Sequence, residues 1–390
     1  MGEIVALDKT YVAGTYNRFP VQLVRGEGSY AWDEEGKRYI DLGSGIAVNS
    51  FGFCDTVWQE AVTRQLSTLQ HTSNLYYTAP CARLAEMLCR RTGMKKVFFS
   101  NSGAEANECA IKVARKYAAE KKGSEYFTVI TLQNSFHGRT LTTLAATGQE
   151  HYHELFQPLT QGFVHVPAND VAAMEEAVAT HKVAGILMEC VQGEGGVIAL
   201  DGDYLRAVEA IARREDIVLM IDEVQTGNGR SGSLYAYMHA GITPDVVTTA
   251  KGLGAGLPIG AALLGERVEN VLGFGDHGST FGGNPVACAG ALSVLERLDE
   301  AFLATVKEKS AYIFEQLTGA KGIKSVTGLG LMIGIETQKP AAEVVKACME
   351  QGVLCLTAKH KVRLLPALNI PMEALAEAIS VIKRVCAQQE

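Results

Sequence analysis

VVTTAKGLGAGLPIGAALLG, residues 246–265, decides how the chain is read. Two apolar runs flank a glycine-rich bend, and Lys251 sits where the first run ends. Continuous apolar runs of this length suit strands covered on both faces. An ammonium at the end of such a strand is costly to desolvate. Either the lysine snorkels to water along its stem, or it stands in a site. The glycines after it favour the second reading, because they keep side chains out of the space beside it.

Similar runs lie upstream. IVLMIDEV (217–224) ends near Asp222, and VAGILMECV (183–191), FTVITL (127–132) and VFFS (97–100) read as further strands. Helical patterns at about 104–119 and 204–214 alternate with them. The expected fold is α/β, a large, mostly parallel sheet with helices on both faces, spanning residues 51–290. YAWDEEGKRYIDL (30–42) carries a hairpin signature around Asp33 to Gly36. Residues 1–50 are expected to pack with a smaller C-terminal domain. That domain, 291–390, begins with one long helical pattern over 292–317. Short strands (LMIGIET, VLCLT, VRLLP) and two amphipathic helices follow, an α+β texture.

Composition narrows the function classes. The chain has 390 residues and a net charge of −7, with no long basic run, which argues against nucleic acid as a partner. Nine cysteines, an odd number with no CxxC, read as reduced thiols in a cytoplasmic protein. No apolar run approaches the ~20 residues that span a bilayer. The N-terminal residues lack a signal-peptide pattern, and Ala6 breaks the myristoylation motif. His151 and His153 form an HxH without an evident third ligand, so no metal is expected.

The chemistry gathers at strand ends. In SNSGAEANECAIKVARKY (100–117) a strand runs into a helix through Ser102, Gly103 and Ala104. Free N–H groups at a helix start attract anions, although a plain N-cap explains Ser102 equally well. Asp222 ends an apolar strand and needs donors or a cation if buried. Ligands of open α/β sheets bind at the carboxyl ends of strands, where Ser102, Asp222 and Lys251 all fall. A phosphate cradle, a buried carboxylate and a desolvated lysine together suit pyridoxal 5'-phosphate. Its aldehyde takes a lysine as an imine and its ring nitrogen takes an acidic partner.

These stretches, with NSFHGRTLTTLAATGQ (134–149), ECVQGEGGV (189–197), IDEVQTGNGRSG (221–232) and HGSTFGGNP (277–285), carry a family resemblance. The chain resembles the class III (fold-type I) pyridoxal-phosphate aminotransferases, and among them the acetylornithine type. YIDLGSGIAVN and VRLLPALN extend the match almost from end to end. The resemblance implies that Lys251 bonds the cofactor and Asp222 partners its ring nitrogen. It implies that Gln225 meets the ring hydroxyl, that Phe136 and Val224 cover the two ring faces, and that Ser102, Gly103 and Ala104 hold the phosphate. Ser279 and Thr280 would reach the phosphate of a neighbouring subunit, so that a homodimer shares its sites.

For substrates, the resemblance implies that Arg139 grips the distal carboxylate of an acylated ω-amino donor and Arg363 the α-carboxylate of glutamate. Glu194 would mask Arg363 when the ω-amino substrate is bound. Read by themselves, Arg363 and Glu194 are better explained as surface charges. Glu189 is expected to orient its neighbours. Gly45 falls where ornithine aminotransferases carry an aromatic, leaving room for an acyl group, and Tyr16 and Asn74 are further pocket candidates. The implied reaction moves the δ-amino group of N2-acetylornithine to 2-oxoglutarate, within arginine biosynthesis. N-succinyldiaminopimelate is a second donor. The alternatives are an ornithine or 4-aminobutyrate transaminase and, from another class, a non-catalytic cofactor- or nucleotide-binding protein. The chain departs from the family pattern at Phe53 to Thr56, Cys190 and Asn228.

Overall fold

The structure is a computed structural model and describes residues 2–388. Its central sheet has seven strands in the order Lys96–Ser100, Gly260–Leu264, Val246–Thr249, Val218–Asp222, Val183–Met188, Thr128–Leu132 and Phe163–Val166. Gly260–Leu264 runs antiparallel to both neighbours, and the other pairings are parallel. The reason lies in the glycine bend. Between Val246–Thr249 and Gly260–Leu264 the chain forms only the short 3-10 turn Lys251–Leu253. A parallel crossover takes about a dozen residues or more, so this strand returns beside its predecessor in the opposite sense.

The continuous apolar runs are buried on both faces, as their composition requires. Along Val218–Asp222, Leu219 and Ile221 join one core while Val218 and Met220 join another, beneath the helix Gly103–Lys121. Each of these four side chains is at most 1% exposed, worth roughly 1.5–3 kcal/mol of burial apiece. Gly185 lets that helix lie close: a Cβ there would stand 2.9 Å from Ala114 Cβ and 2.6 Å from Met220 Cε.

The long helical pattern at 292–317 is two helices in the structure, Pro285–Leu295 and Glu300–Leu317. The break comes at Asp299, whose side chain accepts the Phe302 N–H at 2.7 Å and caps the second helix. The first packs against the helices Thr56–Leu66 and Ala79–Thr92. The hairpin at 30–42 forms as expected, with Tyr30–Asp33 antiparallel to Arg38–Asp41. Val353–Leu354, from far along the chain, adds to it in parallel beside Arg38–Asp41. A second antiparallel sheet joins Ile323–Leu329, Met332–Thr337, Lys361–Leu364 and Leu356–Ala358. Among the described residues, no helix is long and apolar enough to cross a membrane.

Candidate active site

Three strand ends meet around one cavity of about 450 Å³, lined among others by Ser102, Asp222 and Lys251. Lys251 follows directly on Val246–Thr249 and Ala250, and its backbone adopts φ +45°. A left-handed, non-glycine residue at a strand end is strained, and such strain collects at functional sites. Among the described residues, no hydrogen bond or ion pair engages the Lys251 amine. Burial lowers its pKa to about 8, against a smaller opposing pull from Glu194. About a tenth of the amine is therefore free base, the nucleophilic form, at pH 7, far more than for a lysine in water.

The glycines of the bend have two different jobs. At Gly252 a Cβ would meet Ser50 Oγ at 2.7 Å, and at Gly254 it would meet the Leu257 carbonyl at 2.1 Å. These two permit close backbone packing. Gly256, at φ +122°, lines the cavity itself.

Asp222 is buried and held by three donors. Asn107 Nδ2 donates to Oδ2 at 2.8 Å, the Val224 N–H donates to Oδ1 at 3.0 Å, and His137 Nδ1 lies 2.8 Å from Oδ2. No Lys or Arg pairs with it among the described residues. A carboxylate so placed on a cavity wall suits a protonated ring nitrogen. His137 and Asn107 escaped the sequence reading. The first lies inside FHGR, and the second sits one helical turn after Gly103. Thr248 Oγ1 fixes the Asn107 amide by donating to its Oδ1 at 2.7 Å.

At the opposite wall the helix Gly103–Lys121 begins. Ser102 is its N-cap, accepting the Glu105 N–H at 3.2 Å, and it also lines the cavity. The N-cap reading of Ser102 is met, and its place on the cavity wall leaves it free to serve an anion as well. Gly103 and Ala104, whose N–H groups have no acceptor within the helix, line the cavity too. Two glycines let this turn approach the sheet: a Cβ on Gly260 would meet the Ser102 carbonyl at 2.2 Å, and one on Gly103 would meet Val224 Cγ1 at 2.6 Å. Phe136 and Val224 line the same cavity. Anion cradle, apolar walls, acidic partner and unpartnered amine together fit pyridoxal phosphate.

Arg363 and Glu194 are not surface charges. Arg363 is 3% exposed. It donates to Glu194 Oε1 at 2.6 Å and to Gln225 Oε1 at 3.1 Å, while Gln225 Nε2 donates to Glu194 at 3.3 Å. Burial pushes the Glu194 carboxyl up, but the Arg363 guanidinium more than offsets this and leaves it below the ordinary value. Glu189 is buried and accepts the Phe136 N–H at 3.0 Å. Burial and then Asp222 hold its carboxyl well above the ordinary value. Arg139 is exposed at the cavity, its guanidinium 4.8 Å from the Tyr152 ring centre and 5.6 Å from that of Phe136.

The remaining residues lie elsewhere in the chain. Ser279 accepts from Asn101 Nδ2 at 3.3 Å and Thr280 is exposed; neither lines the cavity. Asn74 donates to the carbonyls of Ser279 and Gly282, both at 2.9 Å. Tyr16 is exposed under the Arg18 guanidinium. Gly45, at φ +63°, lies three residues before Val48 of the cavity wall, and itself lines a second cavity. His153 Nε2 lies 2.8 Å from the Leu144 carbonyl, and no metal-holding group of three ligands forms among the described residues.

Known proteins resemble this chain along almost its whole length. An acetylornithine aminotransferase of Haemophilus ducreyi is 51% identical over 388 residues, covering 99% of each chain. A solved ornithine aminotransferase from Toxoplasma gondii, described as holding PLP at partial occupancy in its active site, superposes with a TM-score of 0.93. It shares 33% identity, over 98% of this chain and 94% of that one. A solved acetylornithine aminotransferase from Elizabethkingia anophelis gives a TM-score of 0.87 at 31% identity, over 98% and 97%. The family model described as aminotransferase class-III matches residues 11–386, and the chain belongs to the class III aminotransferases.

Proposed function

We propose that this chain is an acetylornithine-type transaminase that uses pyridoxal phosphate. It moves the δ-amino group of N2-acetylornithine to 2-oxoglutarate, in the cytoplasm, and accepts N-succinyldiaminopimelate as a second donor. The observation that carries the reading is the unpartnered Lys251 amine on the same cavity as the buried Asp222. Pyridoxal phosphate supplies an electrophilic aldehyde and an electron-accepting ring. Every other element comes from the chain. Asp222, fixed by Asn107 and His137, would be the acidic partner of the ring nitrogen. Lys251 Nζ takes the proton from the substrate carbon bearing the amine, and returns it on the far side of the transfer. Such general base work is worth typically ~10²–10⁴-fold. Gly103 and Ala104 N–H groups with Ser102 would hold the phosphate, Phe136 and Val224 would cover the ring, and Gln225 would meet its hydroxyl.

Substrate reading falls to the two arginines. Arg139 takes the α-carboxylate of acetylornithine in a charge-assisted pair. Glu194 keeps Arg363 neutralised during that half-reaction, and yields it to the α-carboxylate of glutamate in the other. Gly45 and Tyr16 belong to the acyl end; a Cβ on Gly45 would come no closer than 3.6 Å to a neighbour. We read the chain as units 1–50, 51–290 and 291–390. A homodimer with Ser279 and Thr280 serving the neighbouring site accounts for the exposed Leu75, Tyr76, Tyr77, Phe274 and Phe281, which flank those residues.

The test is a donor panel with 2-oxoglutarate. Acetylornithine is expected to outrun ornithine and 4-aminobutyrate by about tenfold or more, the scale on which pockets sort apolar groups. Equal or faster turnover of free ornithine would overturn the substrate assignment. Wild-type turnover by Lys251→Ala would overturn the mechanism.

A further inference from the structure

A second cavity, of about 360 Å³, shares no lining residue with the catalytic one. The N-terminal segment lines it on one side. On the other are the helix Ala341–Glu350 and the strands that follow it. Its walls include the apolar side chains of Val21, Leu23, Val345 and Leu356, and two opposite charges interrupt them, Asp41 and Arg18.

Asp41 is only 8% exposed. Its Oδ1 accepts the N–H groups of Gly43 and Ser44, at 2.8 and 3.0 Å. Among the described residues nothing bonds Oδ2 and no cation pairs with the side chain. Burial raises this carboxyl above the ordinary value, against the pull of those two N–H groups. The turn needs one acceptor, which an asparagine would supply without a charge. A buried carboxylate with one oxygen turned to a cavity is costly unless a cation meets it. Arg18 is the outer charge, with a side chain 47% exposed and an ion pair to Asp8 at 3.1 Å. The site is therefore polarised by depth: anionic inside, apolar along the walls, cationic at the rim.

We propose that this cavity binds a free basic amino acid, with its ω-cation on Asp41, its aliphatic stem against Val21 and Leu356, and its carboxylate on Arg18. The volume lies within the ~300–1,000 Å³ usual for small-molecule sites. Arg18 is already oriented by Asp8, so a carboxylate joins an existing charged pair. A neutral aliphatic amino acid would leave Asp41 unmet, and a diamine would leave Arg18 with Asp8 alone. Gly45, placed above at the acyl end of the donor, also lines this cavity, so the two sites adjoin and the inference rests on that reading only at this shared edge.

Calorimetric titration of the holoenzyme tests it, with L-arginine, L-lysine and norleucine as probes. Norleucine has the stem without the ω-cation. Saturable binding of L-arginine or L-lysine is expected, with norleucine weaker by about tenfold or more, as the loss of a charge-assisted contact requires. Asp41→Asn keeps the acceptor for the turn and should weaken binding by the same factor. Leu356→Trp should block it by filling the space. Circular dichroism checks that both variants fold, and Arg139→Ala, which removes the carboxylate grip of the catalytic cavity, should bind as the wild type does. The proposal fails if no basic amino acid binds at millimolar concentration, or if norleucine binds equally well. It also fails if both cavity variants keep full affinity, or if Arg139→Ala abolishes binding, which would assign the heat to the catalytic cavity.

Discussion

The Lys251 amine offers a quantitative test that needs no turnover. Its pKa falls from 10.5 in water to about 8 in the fold, chiefly through burial. The unfolded chain therefore binds the proton more tightly than the native one does. Stability rises with pH wherever the unfolded state holds more protons, so this lysine opposes folding fully below pH ~8 and ceases to do so by ~10.5. At one pKa unit per ~1.4 kcal/mol, the penalty is ~3 kcal/mol at pH 7 and roughly half that at pH 9.5. Lys251→Met removes the charge and keeps an unbranched stem of similar volume. The cofactor-free variant should thus be more stable than the cofactor-free wild type by ~3 kcal/mol at pH 7, with the gap closing towards pH 9.5. Urea unfolding at fixed protein concentration and several pH values measures it. Two results would refute the reasoning: a gap independent of pH, or a variant less stable than the parent at pH 7. Either would mean that the amine has a partner in solution and is not held as a desolvated base.

Three further outcomes concern neighbouring parts. Glu194→Gln removes a charged hydrogen bond of the kind worth ~1.5–3 kcal/mol. It should lower kcat/KM for acetylornithine by roughly 10–100-fold relative to kcat/KM for glutamate; equal changes in the two half-reactions would contradict the masking role. Asp222→Asn should cost ~10²-fold or more in kcat. Its amide must also turn a donor, at one of its two positions, towards Asn107 Nδ2, His137 or the Val224 N–H, so chemical unfolding should show a loss of ~1–3 kcal/mol as well. Gly103→Ala sets a methyl 2.6 Å from Val224 Cγ1. It should shift the phosphate cradle, so that dialysis strips cofactor from the variant under conditions that leave the wild type loaded.

Much of the seven-stranded sheet was legible because its physics is local. A strand buried on both faces must be apolar at every position, and Val183–Met188 or Val218–Asp222 could hardly be read otherwise. Direction was not legible in the same way. Nothing in GAALL distinguishes a parallel from an antiparallel strand; only the missing crossover helix before it does. The pattern over 292–317 misled for a related reason. Helical periodicity continues through LERLDEAF, and the break rests on one Asp299 side chain turning back to the Phe302 N–H. Two-residue strands such as Val353–Leu354 exist only because Arg38–Asp41 lies beside them, and no local window contains that fact.

The site divides along the same line. Ser102, Asp222 and Lys251 could be found because each lies at or just after the end of a strand, and strands that run the same way in one sheet end at the same edge of it. Their supports could not. His137 and Asn107 reach Asp222 from a loop and a helix, and either alone would pass for core. The link between Arg363 and Glu194 spans two sheets. Sequence made both look like surface charges, yet in the fold Arg363 is buried and Glu194 partly so, and each sustains the other: an isolated guanidinium at 3% exposure would be expensive, and paired at 2.6 Å it is sustained. That mutual dependence makes the pair switchable. A carboxylate that replaces Glu194 on Arg363 must supply what Glu194 supplied, so an α-carboxylate can compete there and a neutral acyl group cannot. The same logic separates the two cavities. Lys251 lacks a protein partner on the catalytic cavity and Asp41 lacks one for its Oδ2 on the other. In each, the charge left unmet by the chain states the charge of what should arrive.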